Sequence, residues 1–178
     1  MFYYLANEYV NSFTYFNLFN YITFRTGAAI LTSLFFSLIF GEYIIKKLMS
    51  FQPIGQPIRT DGPENHLIQK SGTPTMGGVL ILSSITVSLL LWADLTNKYV
   101  WICFFTALFF GFIGFLDDYK KIITKSNKGI KGSTRIFFQV LFTVFIIYLI
   151  QQQTPDSVRN IVSFPFFKNL IIDLGLLY

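Results

Sequence analysis

The chain has 178 residues, of which 53% are apolar, 19% aromatic and only 13% charged, with a mean hydropathy of +0.53. That is too little polar surface to coat a soluble globule of this length, so the chain is expected to be an integral membrane protein. The net charge of +5 comes from short basic segments between apolar runs, not from a basic amphipathic face. This pattern fits membrane orientation and excludes nucleic acid as the partner.

Residues 1–25 are rich in Phe, Tyr and Asn and lack the basic start and small-residue cleavage site of a signal peptide, so they read as an interfacial lead-in. The first apolar run, 26–45, carries a single charge, Glu42, and is long enough to cross a hydrocarbon core of about 30 Å. The loop that follows, 46–74, contains GQPIRTDGPENHLIQKSGTPTMGG across its end, with more Gly, Pro, Thr and Asp than a connector needs. Thr73 and Pro74 form a helix-start signal, an N-cap followed by proline at the first helical position. The second span, 75–93, is expected to begin there. Its N-terminus, with Lys70 nearby, would offer free N–H donors to a phosphate. Gly77 and Gly78 suit either close ligand approach or tight helix packing. His66, with no metal-ligating partner at suitable spacing, reads as a structural loop residue.

The third run, 99–116, has no formal charge and ends on Asp117 and Asp118. The lone cysteine, Cys103, lies inside it and reads as a small apolar residue. If the span stops at Leu116, the two aspartates sit at a helix C-terminus, where like charge costs about 0.3–1 kcal/mol per residue. Compensation can come from Lys120 and Lys121, as a solvated ion-paired helix end, or from a divalent cation held with a phosphate substrate. The basic loop 117–135 can equally bind anionic lipid headgroups. A fourth span is expected over 136–152, helped by Arg135 snorkelling at one end. The final segment, 166–178, begins another apolar run and reads as an incomplete fifth span.

The expected architecture is therefore all-α and polytopic, with four complete transmembrane helices and the start of a fifth in a single membrane domain, 1–178. Ten Lys and Arg fall in the two loops 46–74 and 117–135, against four (Arg25, Lys98, Arg159, Lys168) on the other side. The positive-inside rule makes both loops cytoplasmic and leaves the N-terminus outside. The loops then bring phosphate-binding donors and acidic metal-type ligands to one membrane face.

At these residues the sequence resembles the bacterial phospho-N-acetylmuramoyl-pentapeptide transferases. The resemblance rests on residues 55–78, on GFLDDYKK at 114–121, on KGI at 128–130 and on PFFKNL at 165–170. Paired aspartates are shared by the wider superfamily that moves hexosamine-1-phosphates onto polyprenyl phosphates. The strings PIRTDGPENH and GTPTMGG resemble the muramoyl branch. The resemblance implies transfer of phospho-MurNAc-pentapeptide from its UDP carrier to undecaprenyl phosphate, giving lipid I and UMP at the bacterial inner membrane, with magnesium as cofactor. It implies that Asp117 and Asp118 are catalytic and tentatively metal-binding, that Lys70 and Thr75 line the nucleotide site, and that Lys121 lies near the phosphates. A second copy of the chain is a candidate partner.

A phosphate monoester acceptor is already largely ionised at neutral pH, its second pKa being about 6, so Asp117 is expected to organise metal or phosphate and not to act as a strict general base. Two departures stand out. The family continues with five further spans, a third essential aspartate, an NxxDGxDG segment and a histidine-rich loop, all absent from these 178 residues; the chain alone is expected to be inactive. At Ser133 the family often carries a basic residue, a role open to Lys131 and Arg135. The rival readings are a related UDP-HexNAc transferase, a non-enzymatic membrane scaffold, and a transporter. The last is disfavoured because the spans lack mid-bilayer ionisable residues.

Overall fold

A computed structural model describes residues 1–9, 13–52, 75–126, 128–156, 159, 161–164 and 167–173. The chain divides into two compact units, Met1–Phe137 and Phe138–Tyr178. In the first unit, helix α1 (Phe2–Tyr9) and a 3₁₀ helix (Thr14–Asn20) precede α2 (Ile22–Phe51), α3 (Gly78–Trp92) and α4 (Lys98–Thr124). Helix α5 (Gly132–Gln153) starts in the first unit and runs into the second, which also holds the strands β1 (Ile161–Phe164) and β2 (Phe167–Asp173).

Helices α2, α4 and α5, at 30, 27 and 22 residues, are long and apolar enough to cross a membrane. Their composition makes them stable there, since every backbone polar group is satisfied within the helix while apolar side chains meet lipid. Burial is accordingly inverted relative to a soluble protein. Among the described residues the buried hydrophobic side chains are Ala6 and Ile113, whereas Gln52, Thr75, Ser84, Ser88 and Asp117 are buried polar ones. Small residues let the helices approach: the buried Gly41 of α2 faces Leu80 of α3. A Cβ on Gly111 of α4 would run into the Leu82 side chain of α3.

Four complete spans are expected from the sequence; among the described residues three helices meet that standard, and the second run differs. Helix α3 has 15 residues and begins at Gly78, not at Thr75. Met76 has a positive φ of 72°, a left-handed conformation that cannot continue a right-handed helix, so Thr75 stands outside it. The predicted cap Thr73 and Pro74 lie outside the described residues. Helix α3 packs against both α2 and α4.

Two other boundaries move outward. Helix α2 extends to Phe51 and ends at Gln52 (φ −132°, ψ 62°), the residue before Pro53, where helical geometry is sterically disfavoured. Helix α4 starts from Asn97, whose side chain accepts the Tyr99 N–H, and continues past both aspartates to Thr124, ending on the left-handed Lys125 (φ 46°). The expected helix end at Leu116 is therefore corrected. Two charged residues do not stop a helix when Lys121, one turn on, pairs back to both of them at i,i+4 and i,i+3 spacing.

Within the lead-in, residues Phe2–Tyr9 and Thr14–Asn20 are helical. The N-terminal ammonium donates to the carbonyl of Leu90 at 2.8 Å, and Phe19 stacks on Trp92 with ring centroids 5.9 Å apart, tying the lead-in to the end of α3. At the other end of the chain the expected start of a fifth helix is overturned for residues 167–173. They form an antiparallel hairpin with β1, with Val162 opposite Ile172 and a register shift at Ser163/Phe164. β-branched residues on both strands suit the pleated, half-exposed geometry better than a helix.

Candidate functional site

Asp117 and Asp118 are successive residues of α4, so their side chains leave the helix about 100° apart and reach different neighbours. Lys121, three and four residues on, stands on the next turn between them. Its ammonium lies 2.6 Å from Asp117 Oδ2 and 3.1 Å from Asp118 Oδ1. The compensating charge is thus a lysine in the last turn of α4, shared by both carboxylates.

Each carboxylate is fixed by a second contact. The Ile130 N–H donates to Asp117 Oδ1 at 2.7 Å, and the Thr75 hydroxyl donates to Asp118 Oδ2 at 2.6 Å. Thr75 is itself clasped by the C-cap residue of α2: its N–H donates to Gln52 Oε1 at 2.9 Å, and Gln52 Nε2 donates back to the Thr75 carbonyl at 3.4 Å. The network joins the end of α2, the approach to α3, α4 and the turn before α5. Asp117 is only 8% exposed. Burying a carboxylate is costly unless it is paired and hydrogen-bonded, and here both conditions are met.

The turn at 128–130 needs a glycine. A Cβ at Gly129 would stand 2.6 Å from Asp117 Cγ, inside any allowed contact. Only a bare backbone can come close enough for the next N–H to reach the carboxylate.

The carboxylates stand at one end of an open cavity of about 920 Å³ between α3 and α4. Arg135 lines the same end; most of the remainder is apolar, with Leu82, Val87, Leu108 and Phe112 among its walls beside Ser83 and Thr86. A cavity that is charged at one end and apolar along its length suits an amphiphile with an anionic head.

Of the residues singled out from sequence, Thr75, Asp117, Asp118 and Lys121 come together directly, while Lys70 lies outside the described residues. Gln52, Gly129 and Ile130 were not anticipated. Gln52 could have been noticed as a polar residue closing an apolar helix just before a proline. The Ile130 contribution is a backbone N–H, for which side-chain type gives no signal.

Fold and site together define a polytopic membrane protein with a lysine-bridged carboxylate pair at one end of its helices. Residues 70–82 match the phospho-N-acetylmuramoyl-pentapeptide-transferase signature 1, a stretch that includes Lys70, Thr75 and the start of α3. Over all 178 residues the chain is 47% identical to the phospho-N-acetylmuramoyl-pentapeptide-transferase of Rickettsia bellii (strain RML369-C), covering 49% of that protein. It is 49% identical over 162 residues to the transferase of Rickettsia montanensis, covering 91% of this chain and 44% of that one. Against the transferase of Gluconobacter oxydans (strain 621H) it is 47% identical over 161 residues, covering 90% and 44%. Over its whole length the chain is thus similar to phospho-N-acetylmuramoyl-pentapeptide-transferases, and it spans about half the length of the curated relatives it matches.

Proposed function

We propose that the chain contributes the carboxylate site of an enzyme that transfers phospho-MurNAc-pentapeptide from its UDP carrier to undecaprenyl phosphate, giving lipid I and UMP for peptidoglycan synthesis. The observation that carries this reading is the Lys121 ammonium held between Asp117 and Asp118 at the charged mouth of an apolar cavity. The reaction brings together two anionic partners, so positive charge must be fixed where they meet. Lys121 and Arg135 supply it, and the apolar walls between α3 and α4 would take the first isoprene units of the acceptor.

The donor set fits magnesium. Mg²⁺ is usually held by one or two carboxylates with the rest of its shell from substrate phosphates and water, and Asp117 and Asp118 are such a pair. When bound, the cation would screen the diphosphate and polarise its phosphoryl oxygen. Asp117 and Asp118 hold their places through Ile130 and Thr75, so their oxygens meet incoming phosphates with little reorganisation. Both Asp117 oxygens are engaged, one by Lys121 and one by the Ile130 N–H. That supports an organising role over proton abstraction from an acceptor already largely ionised near neutral pH, its second pKa being about 6.

The same network supports a cytoplasmic active face at the inner membrane. Thr75, at the end of the first basic loop, touches Asp118, and Ile130 of the second basic loop touches Asp117, so both loops reach one end of the helices. The test is a chimera in which this chain replaces the corresponding segment of the Rickettsia bellii transferase. Lipid-linked product from UDP-MurNAc-pentapeptide and none from UDP-GlcNAc is expected; the opposite preference would reassign the chain to the sugar-phosphate branch. Cysteines placed at positions 60–75 and 117–125 should label from one membrane side, and labelling from opposite sides would abolish the shared site.

A further inference from the structure

A second cavity, of about 540 Å³, lies at the other end of the same helices, where α2 begins, α3 ends and α4 begins. Its walls are mostly apolar, but Arg25, Ser88 and Asp94 also line it. Two of these carry unanswered hydrogen-bonding capacity. Ser88, only 6% exposed, has a buried hydroxyl oxygen with no hydrogen-bond partner among the described residues, and so has Nε of Arg25. Buried polar atoms are almost always partnered, so two orphans lining one cavity call for a ligand.

The charges say what kind. Arg25 is held by its guanidinium lying 4.5 Å over the Tyr3 ring, a contact that fixes the group without neutralising it. Asp94 sits on the turn between α3 and α4 and accepts from the Thr96 N–H, the Thr96 hydroxyl and the Tyr4 hydroxyl, all through Oδ1. Among the described residues Oδ2 thus keeps its lone pairs for a further donor. These hydrogen bonds, led by that from the Thr96 hydroxyl, together with the charge of Arg25 across the cavity, hold the Asp94 carboxyl below its ordinary value against opposing desolvation. Arg25 and Asp94 line one cavity but form no ion pair with each other among the described residues. A cation and an anion kept apart in a single amphipathic cavity match a zwitterion with an apolar tail.

We propose that this cavity binds a zwitterionic glycerophospholipid with a primary ammonium headgroup, its phosphate on Arg25 and Ser88, its ammonium on Asp94 and an acyl chain along Ile30, Ile85 and Leu89. The cavity volume is within the range of small-ligand sites, about 300–1,000 Å³. Trp92, hydrogen-bonded to Thr32 and stacked on Phe19, borders it at the level where aromatic side chains mark a membrane interface. A primary ammonium can donate to a carboxylate; a choline headgroup cannot, and a glycerol headgroup brings no positive charge.

The test is thermal unfolding of the purified full chain in detergent, titrated separately with phosphatidylethanolamine, phosphatidylcholine, phosphatidylglycerol and diacylglycerol. Phosphatidylethanolamine is expected to raise the midpoint saturably and at the lowest concentration of the four. Arg25→Gln should raise the half-saturating concentration about tenfold or more, the loss of one charge-assisted hydrogen bond. Asp94→Asn, which keeps an oxygen for Thr96, should shift the preference toward phosphatidylglycerol, and this variant decides the matter if Arg25→Gln does not fold. Equal shifts from phosphatidylglycerol or diacylglycerol on the parent, or an unchanged preference in Asp94→Asn, would overturn the assignment.

Discussion

Replacing Lys121 by Met tests the central feature of the site, one ammonium serving two carboxylates. Methionine keeps the length and helix propensity of the side chain, so α4 should persist and the loss be electrostatic. Two ion pairs disappear, at 2.6 and 3.1 Å. Exposed pairs contribute about 0–1 kcal/mol, while removing one partner of a fully buried pair costs about 3–5 kcal/mol. The three side chains here are 12–27% exposed, between those limits. A loss of about 2 kcal/mol follows from interpolating between them. The assay is thermal unfolding of the purified protein in detergent, with EDTA and then with magnesium. A cation that can enter the space left by the ammonium stabilises by RT ln(1 + [Mg²⁺]/Kd), about 2.7 kcal/mol at a hundredfold excess over Kd, enough to offset the loss. The variant should therefore melt lower than the parent in EDTA and gain more from magnesium. Equal melting in EDTA, or the same magnesium increment in parent and variant, would refute the bridging role of Lys121.

Three further substitutions probe the supports. Gly129→Ala forces a Cβ against the Asp117 carboxylate and should push the turn away, costing about 1–3 kcal/mol as an overpacked contact; faster hydrogen exchange at the Ile130 amide is its signature, and unchanged exchange would show that the turn does not rest on Asp117. Gln52→Ala leaves the Thr75 N–H and carbonyl without their partner and should destabilise by about 1–3 kcal/mol, read as a lower unfolding midpoint, with a shift below half a degree counting against the clasp. Asp117→Asn in the chimeric transferase should abolish the magnesium dependence of the residual rate; loss of rate confined to acidic pH would point instead to proton abstraction by Asp117.

How much of this was legible in the sequence depends on the length scale of each signal. Long apolar runs declare themselves through composition, so α2, α4 and α5 could be placed before any coordinate was known, with ends off by several residues. Those ends are set by short-range events that a hydropathy run does not contain. The left-handed Met76 delays α3, and the ion pairs from Lys121 back to Asp117 and Asp118 carry α4 onward through two more turns. The chemical character of the site was visible because Asp, Lys and Thr announce it by type. Its assembly was not, because it rests on a backbone N–H at Ile130, on the absence of a side chain at Gly129 and on a glutamine 23 residues from its partner Thr75.

The extension of α4 also changes the electrostatic argument. With the aspartates at a helix terminus, the negative end of the dipole would have worked against them and made a cation the natural remedy. Inside the helix, that penalty falls away, because the effect is confined to the last turn. The lysine one turn on already satisfies both carboxylates. On the proposed function a cation would be needed only when substrate phosphates arrive, since Lys121 and Arg135 cannot offset two carboxylates and a diphosphate at once. On this account magnesium should bind weakly to the protein alone and tightly only together with the nucleotide. Isothermal titration of the chimeric transferase with Mg²⁺, in the presence and absence of the UDP donor, measures that difference directly. Tight binding without nucleotide would mean that the carboxylate pair is a preformed metal site, and that Lys121 is displaced and not shared.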